Sequence, residues 1–179
     1  MPKTSRRRIR GGAIAEVPVG LWLLLVGFLL PLLFIATWGL KIVLVYWSTR
    51  DACYAAAKAA TWDDTTTGPG AVTSMTNTYT RDMAAFNAAS WTVGGYPNLN
   101  VMKQTVGGGY GSASALSGPL PTPIDGTKLY FMRVKVLAKI PPLISGWKWI
   151  GLTIPGFTSP QEVSMNYQVY VENPNGLAI

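Results

Sequence analysis

The sequence predicts an α+β protein, in which a long N-terminal transmembrane helix continues into a small extracytoplasmic domain with an antiparallel sheet. Three observations predict it: an uncharged apolar run near the N-terminus, an Ala-rich stretch after it, and two C-terminal segments of alternating apolar and polar residues. We expect a basic cytoplasmic leader over 1–11, a transmembrane and extended helix over 12–62, and an extracytoplasmic α+β domain over 63–179.

The apolar run covers residues 17–40, which contain no charged residue and nine leucines. As a helix rising ~1.5 Å per residue it is long enough for a hydrocarbon core of about 30 Å. A buried core helix is disfavoured because the run is apolar on all faces. A cleaved secretory signal is the stronger alternative, but its apolar region spans only about 7–15 residues. Here apolar residues continue past Lys41 to Trp47, so we expect a permanent anchor.

The basic residues before this run predict its orientation. Short flanks rich in Lys and Arg remain on the cytoplasmic side of a membrane, so the rest of the chain is expected outside the cytoplasm. Trp38, Tyr46 and Trp47 suit the outer interface. The arginines expected to hold the N-terminus in the cytoplasm are Arg6, Arg7, Arg8 and Arg10.

The helix is predicted to continue beyond the membrane through residues 41–62, which contain no Gly or Pro. The acidic pair at 63–64 and the Gly-Pro-Gly at 68–70 are expected to end it. Pro18 and Pro31 each remove a backbone donor and are expected to kink it. One face of the extension is predicted to pack against the domain through Val43, Tyr46, Cys53 and Ala57.

The clearest β signals lie near the C-terminus. Even positions of 128–140 and odd positions of 162–172 are apolar, and polar residues alternate with them, which is typical of strands with one covered face. The apolar segment between these strands is expected to rest on the membrane, on a neighbouring subunit or on its own sheet. Upstream we expect a loop over 63–78, a helix over 80–90 with Met83, Phe86 and Ala89 inward, a strand over 99–106 and an exposed connection over 107–126.

Composition excludes much common chemistry. Histidine is absent and Cys53 is the single cysteine, so His-based nucleophile pairs, His-ligated metals and intrachain disulfides are excluded. We expect no enzyme, metal or cofactor, and interpret Cys53 as a packing residue, with a crosslink between subunits as the alternative. The paired carboxylates of Asp63 and Asp64 are interpreted as helix termination rather than an acid pair or metal site. The glycines at 107–111 lack the Lys-Ser/Thr ending of a phosphate-binding loop.

The charge is also informative. Five of the fifteen cations lie in the first ten residues, and from Gly12 onward ten basic residues face eight acidic ones. A nucleic-acid surface needs clustered cations on a folded face, and the sequence predicts none in the domain. Nucleic acid is therefore not expected as a partner.

The N-terminal region carries one informative motif. Arg10, Gly11 and Gly12 precede small residues and then Glu16, at the edge of the apolar run. A carboxylate near the bilayer is costly and calls for a partner, although Glu16 could also lie among the headgroups beside the arginines. Together with the Leu-rich span and the Ala-rich helix, this arrangement resembles the TadE-like minor pilins (pseudopilins) of bacterial tight-adherence systems.

The resemblance implies a function. Prepilin peptidase would cut between Gly11 and Gly12, making Glu16 the fifth residue of the mature chain, and the doubled glycine also allows a cut after Gly12. Glu16 would then pair with the free amine of a neighbouring subunit. The expected partners are membrane lipid, other pilins or pseudopilins, the pilus assembly machinery and prepilin peptidase, and the expected location is the bacterial cytoplasmic membrane or the filament. The alternative is an uncleaved, membrane-anchored extracytoplasmic binding module.

Overall fold

The computed structural model describes residues 17–66, 68–94, 97–107, 113–142, 156, 158–172 and 174–178. The chain divides into two compact units, Met1–Leu40 and Lys41–Ile179. Helix α1, Val17–Ala57, contributes residues to both. Helix α2 is Ala71–Ala85, and four strands follow: β1, Asn98–Thr105; β2, Ser114–Leu116; β3, Lys128–Ile140; and β4, Gln161–Tyr170. Short 3₁₀ helices cover Ala89–Trp91 and Pro174–Ala178.

In the first unit, α1 contains one wide π-helical turn, Leu25–Leu29, in which the Leu30 N–H donates to the Leu25 carbonyl. The turn ends just before Pro31, which has no N–H and whose ring crowds the carbonyl four residues earlier. A π turn lets the helix continue past such a residue. The proline predicted to disturb the helix therefore coincides with a change of helical pitch, while the helix itself continues to Ala57.

In the second unit, α1 buries one stripe of mostly small residues, which shares Cys53 with the predicted stripe, and the predicted Ala57 packs against the same core. Val43 and Tyr46 are exposed and Ala57 is half-buried. The buried face lies roughly a quarter turn away, since each residue advances about 100°. Thr49 can be part of it because its Oγ1 donates to the Val45 carbonyl at 2.7 Å, whereas the buried Ser48 hydroxyl has no hydrogen-bond partner among the described residues. The buried residues are Val45, Ser48, Thr49, Ala52, Cys53 and Ala56.

Helix α1 ends at Ala57, short of the predicted Trp62. Tertiary packing overrides helix propensity here, because Trp62 turns into the core and is only 7% exposed. The Thr61 and Trp62 carbonyls both accept from the N–H of Ala71, at 2.9 and 3.0 Å. Gly70 is required at this turn, since a Cβ there would collide with the backbone of Trp62 and Asp63. The chain therefore leaves α1 to begin α2.

Helix α2 contradicts the predicted loop over 63–78 from residue 71 onward, and it overlaps the predicted helix over 80–90 only at residues 80–85. It buries every fourth residue, namely Ala71, Met75, Tyr79 and Met83, and points its Thr, Asn and Ser side chains mostly outward. Phe86 is 44% exposed and Ala89 is exposed, so only Met83 of the predicted inward residues is buried. The polar composition that predicted a loop thus belongs largely to the outer face of a helix.

The strands form one antiparallel sheet in the order β2-β1-β3-β4. Strands β3 and β4 pair without a bulge from Phe131↔Tyr170 to Ile140↔Gln161. The predicted strands over 99–106, 128–140 and 162–172 are confirmed within one or two residues, whereas β2 lies in the predicted connection. The even positions of β3 from Tyr130 to Ile140 are all buried. The long apolar helix followed by this sheet confirms the α+β prediction at that level.

Both helices and the sheet share one core. Buried residues of α1 and α2 belong to the same hydrophobic cluster as Val101 of β1 and Met132, Val134 and Val136 of β3. The inner-face residues of β4 pack against it while only half-buried. Leu177, from the C-terminal 3₁₀ helix, also lies in it, and its carbonyl accepts from the Leu120 N–H at 2.8 Å. The sheet therefore has one face covered by helices, which we call the inner face, and a second that we call the outer face.

Candidate membrane anchor and assembly site

Residues 17–40 form an apolar helical surface that is exposed apart from the half-buried Phe34, Trp38 and Gly39. None of the most apolar 18-residue window of α1 is buried, and the helix is long and apolar enough to cross a membrane. Burying a Leu, Ile or Phe side chain is worth about 1.5–3 kcal/mol. A contiguous apolar surface of this size marks a site for lipid or protein. Among its exposed residues are Leu21, Trp22, Leu23, Leu24, Phe28, Leu32, Leu33 and Ile35.

The residues predicted to control processing and assembly lie outside the described residues. They are the cleavage site, Gly11 and Gly12, the carboxylate Glu16, and the arginines Arg6, Arg7, Arg8 and Arg10. Their roles therefore stay predictions. The same holds for most of the apolar segment between β3 and β4, of which residues 143–155 and 157 lie outside the described part.

Lys41, the first charged residue after the apolar run, is held by two contacts within the second unit. Its Nζ donates to the Pro141 carbonyl at 3.1 Å and lies 5.7 Å from the centre of the Trp91 ring. Charge-assisted hydrogen bonds and cation–π contacts both favour a fixed ammonium at this position. Lys41 thus ties α1 to the end of β3 and to the 3₁₀ helix. Sequence reasoning missed it, and the one available signal was a lone cation directly after an uncharged run.

Cys53 is a buried packing residue, as its first interpretation predicted. The thiol donates to the Met132 carbonyl at 3.3 Å, and the Tyr167 carbonyl is 3.6 Å away, so the side chain lies between β3 and β4 of its own chain. Burial raises the pKa of the Cys53 thiol to about 11, so the reactive thiolate is scarce at neutral pH. The alternative of a crosslink between subunits is contradicted, because the sulfur is 0% exposed.

Helix α1 carries aromatic residues beyond Lys41, and two of them contact the sheet. Tyr46 and Tyr54 both contact Tyr167 of β4, with ring centroids 5.7 and 6.0 Å apart. The Arg50 guanidinium lies 5.5 Å from the Tyr54 ring. Trp47 is 55% exposed. Of the two aromatic residues beyond Lys41 predicted for the outer interface, Trp47 is free for such a role, whereas Tyr46 also supports the sheet.

Asp63 and Asp64, interpreted as the end of the first helix, lie beyond its last residue, Ala57, and Asp64 instead has a role at the start of α2. The Asp64 carboxylate accepts from the Gly70 N–H at 2.8 Å and from the Thr73 hydroxyl at 2.9 Å, and these bonds lower the pKa of Asp64. It thereby fixes the start of α2, the kind of role that short acidic side chains take at helix starts. Within the described residues, no group of three or more His, Cys, Asp or Glu could hold a metal ion.

Comparisons with protein-family models, with curated proteins and with solved structures each return no match.

Proposed function

We propose that this chain is a TadE-like minor pilin or pseudopilin, held in the bacterial cytoplasmic membrane by residues 17–40 with its α+β domain outside the cytoplasm. The observation that carries the proposal is that one helix, Val17–Ala57, begins as an all-round exposed apolar segment and ends as part of a domain core. Its role is subunit packing in a tight-adherence pilus or a related apparatus.

The exposed segment supports the proposal because its chemistry suits two environments in succession. A helix that is apolar on all faces is soluble in a bilayer, and the same surface can pack against other apolar helices in an assembly. Gly20 and Gly27 are exposed, and a Cβ at either would meet no described atom within 4 Å.

In the proposed assembly, Glu16 pairs with the amine that cleavage after Gly11 would create on Gly12 of another subunit. Moving both charges out of water costs several kcal/mol per ion, so the pair contributes more to register than to stability. The pair would also supply the counter-charge that a carboxylate beside an apolar segment needs.

The intact mass of the protein purified from its own host tests the processing step. The expected mature chain begins at Gly12 and lacks the five cations of the first ten residues. Gly11→Leu should block the cut, because a bulky side chain obstructs backbone approach at the scissile bond. Gly20→Leu is the matched control, since it makes the same change in the exposed helix and should leave processing unchanged. A full-length mass that still begins at Met1 would contradict the proposal.

Assembly is tested separately at Glu16. Glu16→Ala should permit cutting but impair incorporation, because the neighbouring amine loses its counter-charge, whereas Glu16→Asp should retain part of the function. If Glu16→Ala has no effect on adhesion or secretion and the leader is retained, the chain is an anchored binding module instead.

Orientation is tested with spheroplasts, in which added protease should digest the domain after Thr65. Protection of the domain until the cells are lysed would reverse the assigned orientation.

A further inference from the structure

The outer face of the sheet carries three cations of β3, on the face opposite the apolar one as the alternation predicts, although the sequence predicted no clustered cations in the domain. Arg133, Lys135 and Lys139 alternate with the buried residues of β3 and therefore point to the same side of the sheet. Along the strand they are separated by about 7 Å and then about 13 Å, at ~3.3 Å per residue. The domain thus carries a row of basic residues on β3, which lies between β1 and β4 in the sheet.

Arg133 is half-buried and lacks a counter-ion among the described residues. Its Nη1 lies 3.9 Å from the Met102 sulfur, a weak acceptor, and its buried Nε has no hydrogen-bond partner in the part of the chain that the structure describes. A guanidinium has five donors in a fork that matches a carboxylate. The buried Nε is out of reach of an external ligand, so the donors that can meet one are the terminal nitrogens of this half-buried side chain. No described carboxylate occupies them, and a ligand carboxylate can accept from them.

The charges around Arg133 do not compensate for it. Lys135 is exposed and makes no ion pair with any described residue. Lys139 and Glu162, both exposed, approach each other only to 3.9 Å, and such pairs contribute little. The outer face of β3 and β4 is therefore net positive, and its charge is complementary to an acidic ligand.

Uncharged hydrogen-bonding groups surround the cation. Asn100 of β1 and Gln168 of β4 lie directly across from Arg133 in the sheet register, so all three side chains share the outer face. At one end of this face Phe131 and Tyr170 form an edge-to-face pair with centroids 5.8 Å apart, and Tyr170 is 49% exposed. Amides can bind hydroxyl groups, and an exposed ring offers a flat apolar surface.

We propose that the outer face of the sheet binds an acidic polysaccharide, a polymer of sugars bearing carboxylates. Arg133 takes one carboxylate through its fork, Lys135 attracts a second, Asn100 and Gln168 bind sugar hydroxyls, and Tyr170 packs against a sugar ring. Nucleic acid is disfavoured, because non-specific single-strand binding uses several phosphate contacts and successive aromatic platforms. The proposal rests on the proposed function only for the location of the domain outside the cytoplasm.

The test uses the full chain in nanodiscs of neutral lipid and measures binding of fluorescent polygalacturonate. Arg133→Gln should weaken binding roughly tenfold or more, as expected for a lost charge-assisted contact. Lys135→Gln should weaken it about three- to fivefold, since an exposed charge pair contributes less. Arg81→Gln and Lys58→Gln remove the same charges from helix α2 and from the end of α1, and should change binding less than about twofold. Binding should also weaken as salt rises.

Two further probes decide the ligand class. Dextran, an uncharged polymer, should bind far more weakly than polygalacturonate, and oligothymidylate should also bind more weakly. Equal binding of dextran, tighter binding of oligothymidylate, or unchanged affinity in both glutamine variants would each overturn the proposal. Arg133→Lys, which keeps the charge but not the fork, should show an intermediate affinity.

Circular dichroism of each variant checks that it is folded. If Arg133→Gln fails to fold, the exposed Lys135→Gln decides the test, since its side chain supports nothing in the core. Leader processing is measured independently by mass at Gly12, so loss of the polysaccharide site and failure of the pilin proposal give different results.

Discussion

Two stretches of the same helix differ in the side chains that they bury and expose. Residues 17–40 are rich in large apolar side chains, and the described part of the protein fully buries none of these side chains. Residues 41–57 bury a stripe made mainly of small side chains and expose Tyr46, Trp47 and Tyr54. Hydrophobicity alone therefore does not identify the face that packs against the sheet. Small size does, because it allows the close approach seen at Cys53.

The largest expected effect separates the two stretches by function. The double variant Leu24→Arg with Leu33→Arg places two charges in the exposed run, each costing about 2.5–3.5 kcal/mol in a membrane helix. We expect it to abolish membrane integration, measured by carbonate extraction. Leu24→Met with Leu33→Met is the control and should remain integrated. Full retention of the arginine variant would show that residues 17–40 are not the anchor.

A charge in the core should destabilise the second unit and leave anchoring unchanged. Val134 is 0% exposed, so Val134→Asp should lower the free energy of unfolding by about 3–5 kcal/mol, measured by denaturant titration in detergent. Val169→Asp should cost less, because Val169 is only half-buried. Gln168→Asp on the outer face should change it by only about 0.5 kcal/mol. Similar losses at 168 and 169 would show that the two faces are assigned wrongly.

These strands were predictable because alternation is a local signal, whereas α2 was not. Its start depends on the Asp64 carboxylate, which accepts from the Gly70 N–H and the Thr73 hydroxyl, and on a close approach of Gly70 to Trp62. The processing motif could be proposed from sequence because it is a short linear pattern. The cations on the outer face of β3 follow from the same alternation, whereas the strand register was needed to place Asn100 and Gln168 beside Arg133.

Lys41 tests the boundary between the two stretches. Lys41→Met removes the hydrogen bond to the Pro141 carbonyl, whose donor and acceptor are separated by 100 residues, and the contact with Trp91. We expect a loss of about 1–3 kcal/mol in the unfolding free energy. Lys58→Met, at an exposed position just beyond α1, should change it by less than about 0.5 kcal/mol. Equal values for the two variants would mean that the Lys41 contacts contribute nothing.

The smallest expected effect concerns the thiol at the centre of the packed stretch. Cys53→Ala should cost about 1 kcal/mol near neutral pH, because it leaves a small cavity between α1 and the sheet. The thiol titrates at 9.0 when unperturbed and at about 11 in the folded protein. Since the folded state holds the proton more tightly, the stability contributed by Cys53 is fully present below pH 9.0 and is lost as the pH rises toward about 11. The stability difference between wild type and Cys53→Ala should therefore shrink by about 1 kcal/mol by pH ~10. The other titrating groups are common to both proteins. A stability difference that stays constant from pH ~8 to ~10 would therefore mean that the thiol is not buried against the β3 and β4 carbonyls.

The buried thiol should also be unreactive in the folded protein, because the sulfur has no exposed surface. Oxidation should give no disulfide dimer of the folded protein, and a thiol reagent should label Cys53 only after denaturant is added.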